Sequence, residues 1–156
     1  MKRSYIFILI IMIFCSLLGC DSDFDESSKQ ANQSDSDLVL GVKGGYPSSY
    51  PDATYGDAFD YFFGYPEWTS FQGTRDEDDK VYDIVQFTGE CLYAEKEVTA
   101  LIQFTLSEDK NTFEPTYLSF NDVPQTNEDM YALVDKAFTE YQKSQEMEAN
   151  KASPAE

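Results

Sequence analysis

Between residues 82 and 121 apolar and polar side chains alternate, and from Asn127 to Tyr141 apolar side chains return every three or four positions. The first pattern predicts strands and the second a helix. Tyr82 to Tyr93 places Val85, Phe87 and Cys91 on one face, with Gln86, Thr88 and Glu90 on the other. A turn at Ala94-Glu95-Lys96 leads into Val98, Ala100, Ile102, Phe104 and Leu106, opposite Thr99, Gln103 and Thr105. Glu108-Asp109-Lys110-Asn111 predicts a second turn, and Phe113 to Asn121 a further strand. Upstream, Trp68 to Gln72 predicts a short first strand, followed by a charged turn over Thr74 to Lys80. In the closing segment Met130, Leu133, Val134, Ala137, Phe138 and Tyr141 form one helical stripe, and beyond Lys143 the chain is polar.

A shorter helix is expected before the strands. Thr54 has the character of an N-cap, with Asp57 three residues on in an approximate capping box. Ala58, Phe59, Phe62 and Phe63 follow at helical spacing, and Gly64-Tyr65-Pro66 stops them. The order is helix, three or four antiparallel strands, helix. One face of such a meander needs cover, and two amphipathic helices supply it, which predicts an α+β two-layer sandwich. The globular part is expected over residues 46–145, with a polar tail over 146–156.

Residues 21–39 are Asp, Ser, Gln and Asn with little to bury, so a disordered tether is expected over 20–45. All 29 Asp and Glu lie after residue 19, whereas Lys2 and Arg3 precede it; the chain from Cys20 onward therefore carries 9 − 29 = −20. A field of that sign repels nucleic acid and attracts cations and basic proteins or peptides. The chain has no histidine, which removes the commonest general base and a common metal ligand.

The first 20 residues have a different character. Lys2 and Arg3 precede a 14-residue apolar run from Tyr5 to Leu18, too short to span a bilayer comfortably but suited to a signal-peptide core. The run ends in Leu17-Leu18-Gly19-Cys20. These residues resemble the lipobox of bacterial lipoprotein precursors, although a small residue is more usual than Leu18 at its position. No A-x-A-like site offers an ordinary cleavage point nearby. The resemblance implies acyl transfer to the Cys20 thiol, with palmitate-type chains, and cleavage between Gly19 and Cys20. Each buried methylene contributes about 0.8 kcal/mol, so several chains on one residue hold firmly. The expected location is the cell membrane or outer membrane, with the domain on the extracytoplasmic side.

A second likeness lies within Tyr50 to Gln125. Tyr55-Gly56-Asp57-Ala58-Phe59 with Phe62-Phe63, Pro66-x-Trp68-x-x-Phe71, Asp83 to Gly89, Ala100 to Phe104 and Leu118 to Gln125 carry it. These words resemble a domain of uncharacterised bacterial surface or membrane-attached proteins, some of which bear a zinc ribbon. The resemblance implies a fold and no activity. No zinc ribbon stands in this chain.

Catalytic candidates are few. Cys91 is the one cysteine after Cys20 and lacks a histidine partner, and its alternation with Val85 and Phe87 suits a buried small apolar residue. Asp76-Glu77-Asp78-Asp79, with Asp83 beyond, offers oxygen ligands but lacks the glycine and distal glutamate of an EF-hand loop, so a charged hairpin tip is the simpler expectation. No nucleophile elbow, Walker loop or dinucleotide fingerprint is present, so no enzyme, metal or cofactor is expected. Trp68 and Phe71 suit the core. Tyr46, Tyr50, Tyr61 and Tyr65, with Trp68, are dense enough for an exposed aromatic patch that would take a peptide or glycan. The expected role is a membrane-anchored, non-enzymatic binding domain for a basic protein or peptide. The competing roles are a structural component of an envelope assembly and, less favoured, a carboxylate-based enzyme.

Overall fold

Thr54 starts its helix as its side chain predicts. Its hydroxyl accepts from the Asp57 amide at 3.1 Å and donates to the Asp57 carboxylate at 2.7 Å, which satisfies one orphan donor of the first turn. In the computed structural model, which describes residues 37–74 and 80–152, that helix is the second of three. The elements are α1 (residues 37–44), α2 (Tyr55–Phe62), β1 (Gly64–Thr74), β2 (Val81–Tyr93), β3 (Lys96–Leu106), β4 (Phe113–Phe120), β5 (Val123–Pro124) and α3 (Asn127–Ala152).

The strands form one antiparallel sheet in the order β1-β2-β3-β4-β5, so every neighbour in sequence is a neighbour in space. The fold is α+β with a meander sheet. Five strands stand where three or four were expected, because Asn121 and Asp122 (φ 48° and 66°) turn the chain back for a two-residue fifth strand. The β2–β3 connection does the same with Ala94 and Glu95 (φ 48° and 63°), the left-handed pair that a tight type I′ hairpin requires.

Register puts unlike residues on the two faces. Trp68, Phe87, Ile102 and Leu118 stand in one row across the sheet, and Ser70, Val85, Phe104 and Pro115 in the next. That face is covered. Phe59 on α2 is fully buried, with its ring centroid 4.8 Å from Phe87 and 5.7 Å from Trp68. Tyr55 meets Phe138 of α3 edge-on at 5.1 Å. Gly89 lets the layers close, because a Cβ there would stand 2.7 Å from the Phe87 ring and 2.8 Å from the Phe63 Cβ. The opposite rows are Thr69, Gln86, Gln103, Tyr117 and Glu67, Thr88, Leu101, Ser119. Here Gln103 donates to Gln86 at 3.0 Å, and Thr105 and Thr116 share a hydrogen bond of 2.8 Å.

Three expectations need correction. Order begins before Tyr46, inside the stretch read as tether: α1 is helical, Val42 is fully buried, and Leu38 and Val39 pack on the core. Those three apolar residues lie at i, i+1 and i+4, one helical turn that the surrounding polar residues obscured. Phe71 is 40% exposed and not in the core, since its odd offset from Trp68 turns it to the open face. Helix α3 continues past the end of its apolar stripe to Ala152, taking in much of the expected polar tail.

Candidate functional site

A groove forms where β1 leaves the sheet. Gly64 pairs with Glu90, the register then shifts between Gly64 and Glu67, and Tyr65 takes φ 50° to swing the strand in from α2. Beyond Glu90, strand β2 runs on through Cys91, Leu92 and Tyr93, paired on one side with Val98, Glu97 and Lys96. Among the described residues no strand pairs with the other side of this stretch. The end of α2, through Tyr61 and Phe62, and the middle of α3, through Lys136 and Glu140, wall the space of about 680 Å³. Because the groove follows a strand edge, it takes Cys91 from the helix side of the sheet and Glu90, Leu92 and Glu97 from the other.

Its charge is predominantly negative: Glu90, Glu97 and Glu140 face one cation, Lys136. Lys136 stands over the Phe62 ring with its Nζ 5.6 Å from the centroid, and Glu140 pairs with Lys143 at 2.9 Å. Glu90 and Glu97 form no ion pair among the described residues. Burial pushes the Cys91 thiol up, and the Lys136 charge offsets that only in part. A thiol held above its usual value stays protonated near neutrality and is a weak nucleophile. Cys91 shares the helix-facing side with Val85 and Phe87, but it is half-buried at the groove and not sealed in the core.

The aromatic residues of the expected patch do not gather. Tyr61 lines the groove and meets Tyr141 edge-on at 5.9 Å. Tyr65 is 82% exposed at the turn beside it, and Tyr46 is exposed ahead of α2. Tyr50 is pinned to α3, with its ring stacked on Phe138 at 5.0 Å and its hydroxyl donating to Asp135 at 2.6 Å. Trp68 lies in the aromatic core, with Phe87 at 4.8 Å and Phe104 at 6.1 Å, and Lys43 caps its ring at 5.6 Å. Leu92, Glu90 and Glu97, which sequence reasoning did not single out, complete the groove. Only the departure of β1 brings them together.

The acidic run Asp76 to Asp79 lies outside the described residues, as do Gly19 and Cys20. Asp83, counted with that run as a cation ligand, is committed elsewhere. It pairs with Lys110 at 2.7 Å and accepts from Gln72 at 3.1 Å, and the Lys110 bond holds its carboxyl below the usual range. Among the described residues no group of three or more acids and cysteines converges as metal ligands would. No described helix is long and apolar enough to cross a membrane. A second recess of about 680 Å³, between Gln103, Thr105 and Thr116 of the sheet and Met130 and Tyr131 of α3, is polar and has no charged pair facing into it.

No family model matches this sequence, and neither a curated protein nor a solved structure matches it. The words that resemble the surface-domain family therefore transfer no residue roles.

Proposed function

We propose that this chain is a lipid-anchored envelope protein whose acidic two-layer α+β domain binds a basic, extended peptide segment without catalysing a reaction. The groove at the end of β2 carries the reading. An incoming strand would hydrogen-bond to the open side of Cys91–Tyr93 in the manner of strand addition. Its apolar side chains would lie against Tyr61, Phe62 and Leu92, and a lysine or arginine would sit between Glu90 and Glu97. The net charge of −20 beyond residue 19 speeds the encounter with a basic partner. Cys20 supplies the anchor that keeps the domain at the membrane surface.

Fluorescence anisotropy with a labelled peptide of alternating lysine and valine tests the groove. Binding should weaken steeply with added salt, and Glu90→Lys with Glu97→Lys should weaken it roughly 10- to 100-fold, as loss of one or two interfacial charge contacts does. Equal binding by that variant, or none by the wild type at low salt, defeats the reading. Mass spectrometry of the mature N-terminus checks the anchor independently.

A further inference from the structure

The strand edge in the groove is short and closed at one end. The turn at Ala94-Glu95 joins Tyr93 to Lys96, and in such a two-residue hairpin these flanking residues exchange backbone hydrogen bonds. The direction of those bonds alternates along an antiparallel strand, which turns Cys91 toward β3 and points the Leu92 N–H and C=O into the groove. Glu90 points the same way, but Gly64 already pairs with it. A strand advances about 3.4 Å per residue, so one residue fits between the places opposite Leu92 and Glu90. A chain paired with Leu92 therefore ends within one residue of Gly64 or turns out of the sheet. Lys136 stands at that end. Its Nζ lies 5.6 Å from the centre of the Phe62 ring, two residues before Gly64, and its charge is felt at the Cys91 thiol. Lys136 forms no ion pair among the described residues, and Glu140, one turn further along α3, is held by Lys143 at 2.9 Å.

We propose that the groove takes the free C-terminus of a partner protein, a basic tail paired antiparallel with β2 whose terminal carboxylate meets Lys136. This rests on the strand-addition reading of the groove and adds the direction and the end of the chain that it accepts. The direction follows from the closed end. A strand antiparallel to β2 runs from Tyr93 toward Gly64, the course that β1 itself takes, and so brings its carboxyl end to Lys136. A parallel strand would bring its amino end there and set cation against cation. The charges of the groove also divide by face. Glu90 and Glu97 share the face of Leu92, away from the helices, so the tail residue opposite Leu92 sends its side chain to them. Lys136 belongs to α3, on the other face. A lysine or arginine side chain and the chain-terminal carboxylate therefore find separate partners of opposite charge. Strand addition combined with capture of a chain end is a known mode of peptide recognition, and the bond between lysine and carboxylate is of the strong, charge-assisted kind.

Fluorescence anisotropy of the full chain in detergent tests this with one alternating lysine-valine peptide in three forms, each labelled at its N-terminus. One ends in a free carboxylate, one in an amide, and one carries a further Gly-Ser-Gly-Ser before its free carboxylate. The free acid should bind about tenfold more tightly than the amide or the extended peptide. General attraction to the acidic domain has the opposite sign, because the amide carries one more positive charge. In Lys136→Gln the three forms should bind within about twofold of one another, and Lys136→Arg should keep the preference for the free acid. Circular dichroism confirms that both variants are folded. Equal binding of acid and amide by the wild type overturns the proposal and leaves the basic-segment reading standing. A preference that survives in Lys136→Gln also overturns it. Binding of none of the three forms removes this proposal and that reading together.

Discussion

The two faces of this sheet come from the same strands and are stabilised in different ways. On the helix side, Phe59, Phe87 and Phe104 are fully buried and touch through their rings. On the open side Gln103 bonds to Gln86 and Thr105 to Thr116, and Phe71 and Tyr117 there are more than a third exposed. The difference teaches where the stability of so acidic a chain resides. Ring packing on one face involves no charged group, so it does not draw on the acidic surface. The other face is more polar and more exposed to solvent. The charged residues crowd the rims, where most are solvated and surface pairs such as Lys80–Glu108 contribute little.

The contrast breaks most sharply at Phe59. Phe59→Ala leaves a cavity between Trp68, Phe87 and Phe138 and should cost about 3 to 5 kcal/mol, read by urea denaturation. A loss under 1 kcal/mol would mean that the helix layer is not the stabilising one.

Tyr55 gives the next effect, and it is pH-dependent. Burial, with Tyr131 nearby, pushes its hydroxyl up to about 12 from an ordinary 10. The folded state therefore favours the neutral phenol. Its contribution is fully present below pH 10 and is lost as pH rises from 10 to 12, by about 2 to 3 kcal/mol. Melting temperature followed across that window should fall more in the wild type than in Tyr55→Phe. Parallel curves would place the alkaline loss elsewhere.

The smallest effect belongs to the open face. Gln103→Thr removes a hydrogen bond to Gln86 at a partly exposed site and should change stability by about 1 kcal/mol or less. A large loss there would show that the open face is itself part of the stabilising core.

Much of this architecture is legible along the chain. Alternation over β2 and β3 is local, since successive side chains of a strand must point to opposite faces, and it reads out which residues face the helices. The stripe from Met130 to Tyr141 and the cap at Thr54 are equally local. The turn at Ala94-Glu95 is legible as a turn although it lacks the usual Asn-Gly pair, because two well-patterned strands converge on it. Where local signals are weak, readings fail. Strand β1 alternates poorly, with most of its residues exposed, so Trp68 and Phe71 were given the same environment when the pleat gives them opposite ones.

The candidate groove was not legible at all beyond Tyr61. Its members come from α2, β2, β3 and α3, and no spacing along the chain links Glu90 to Glu140 or Phe62 to Leu92. The sequence by itself determined α2, β2, β3, β4 and the apolar stripe of α3, their order, the acidic field and the cysteine that marks the expected anchor, because each depends on residues near one another or on simple sums. Tertiary structure alone decided that α1 joins the core, that β1 pairs no further along β2 than Glu90, next to the groove's strand stretch, and which carboxylates share the space so opened. Those outcomes depend on where distant segments meet, and contact between distant segments leaves no periodic trace in the chain.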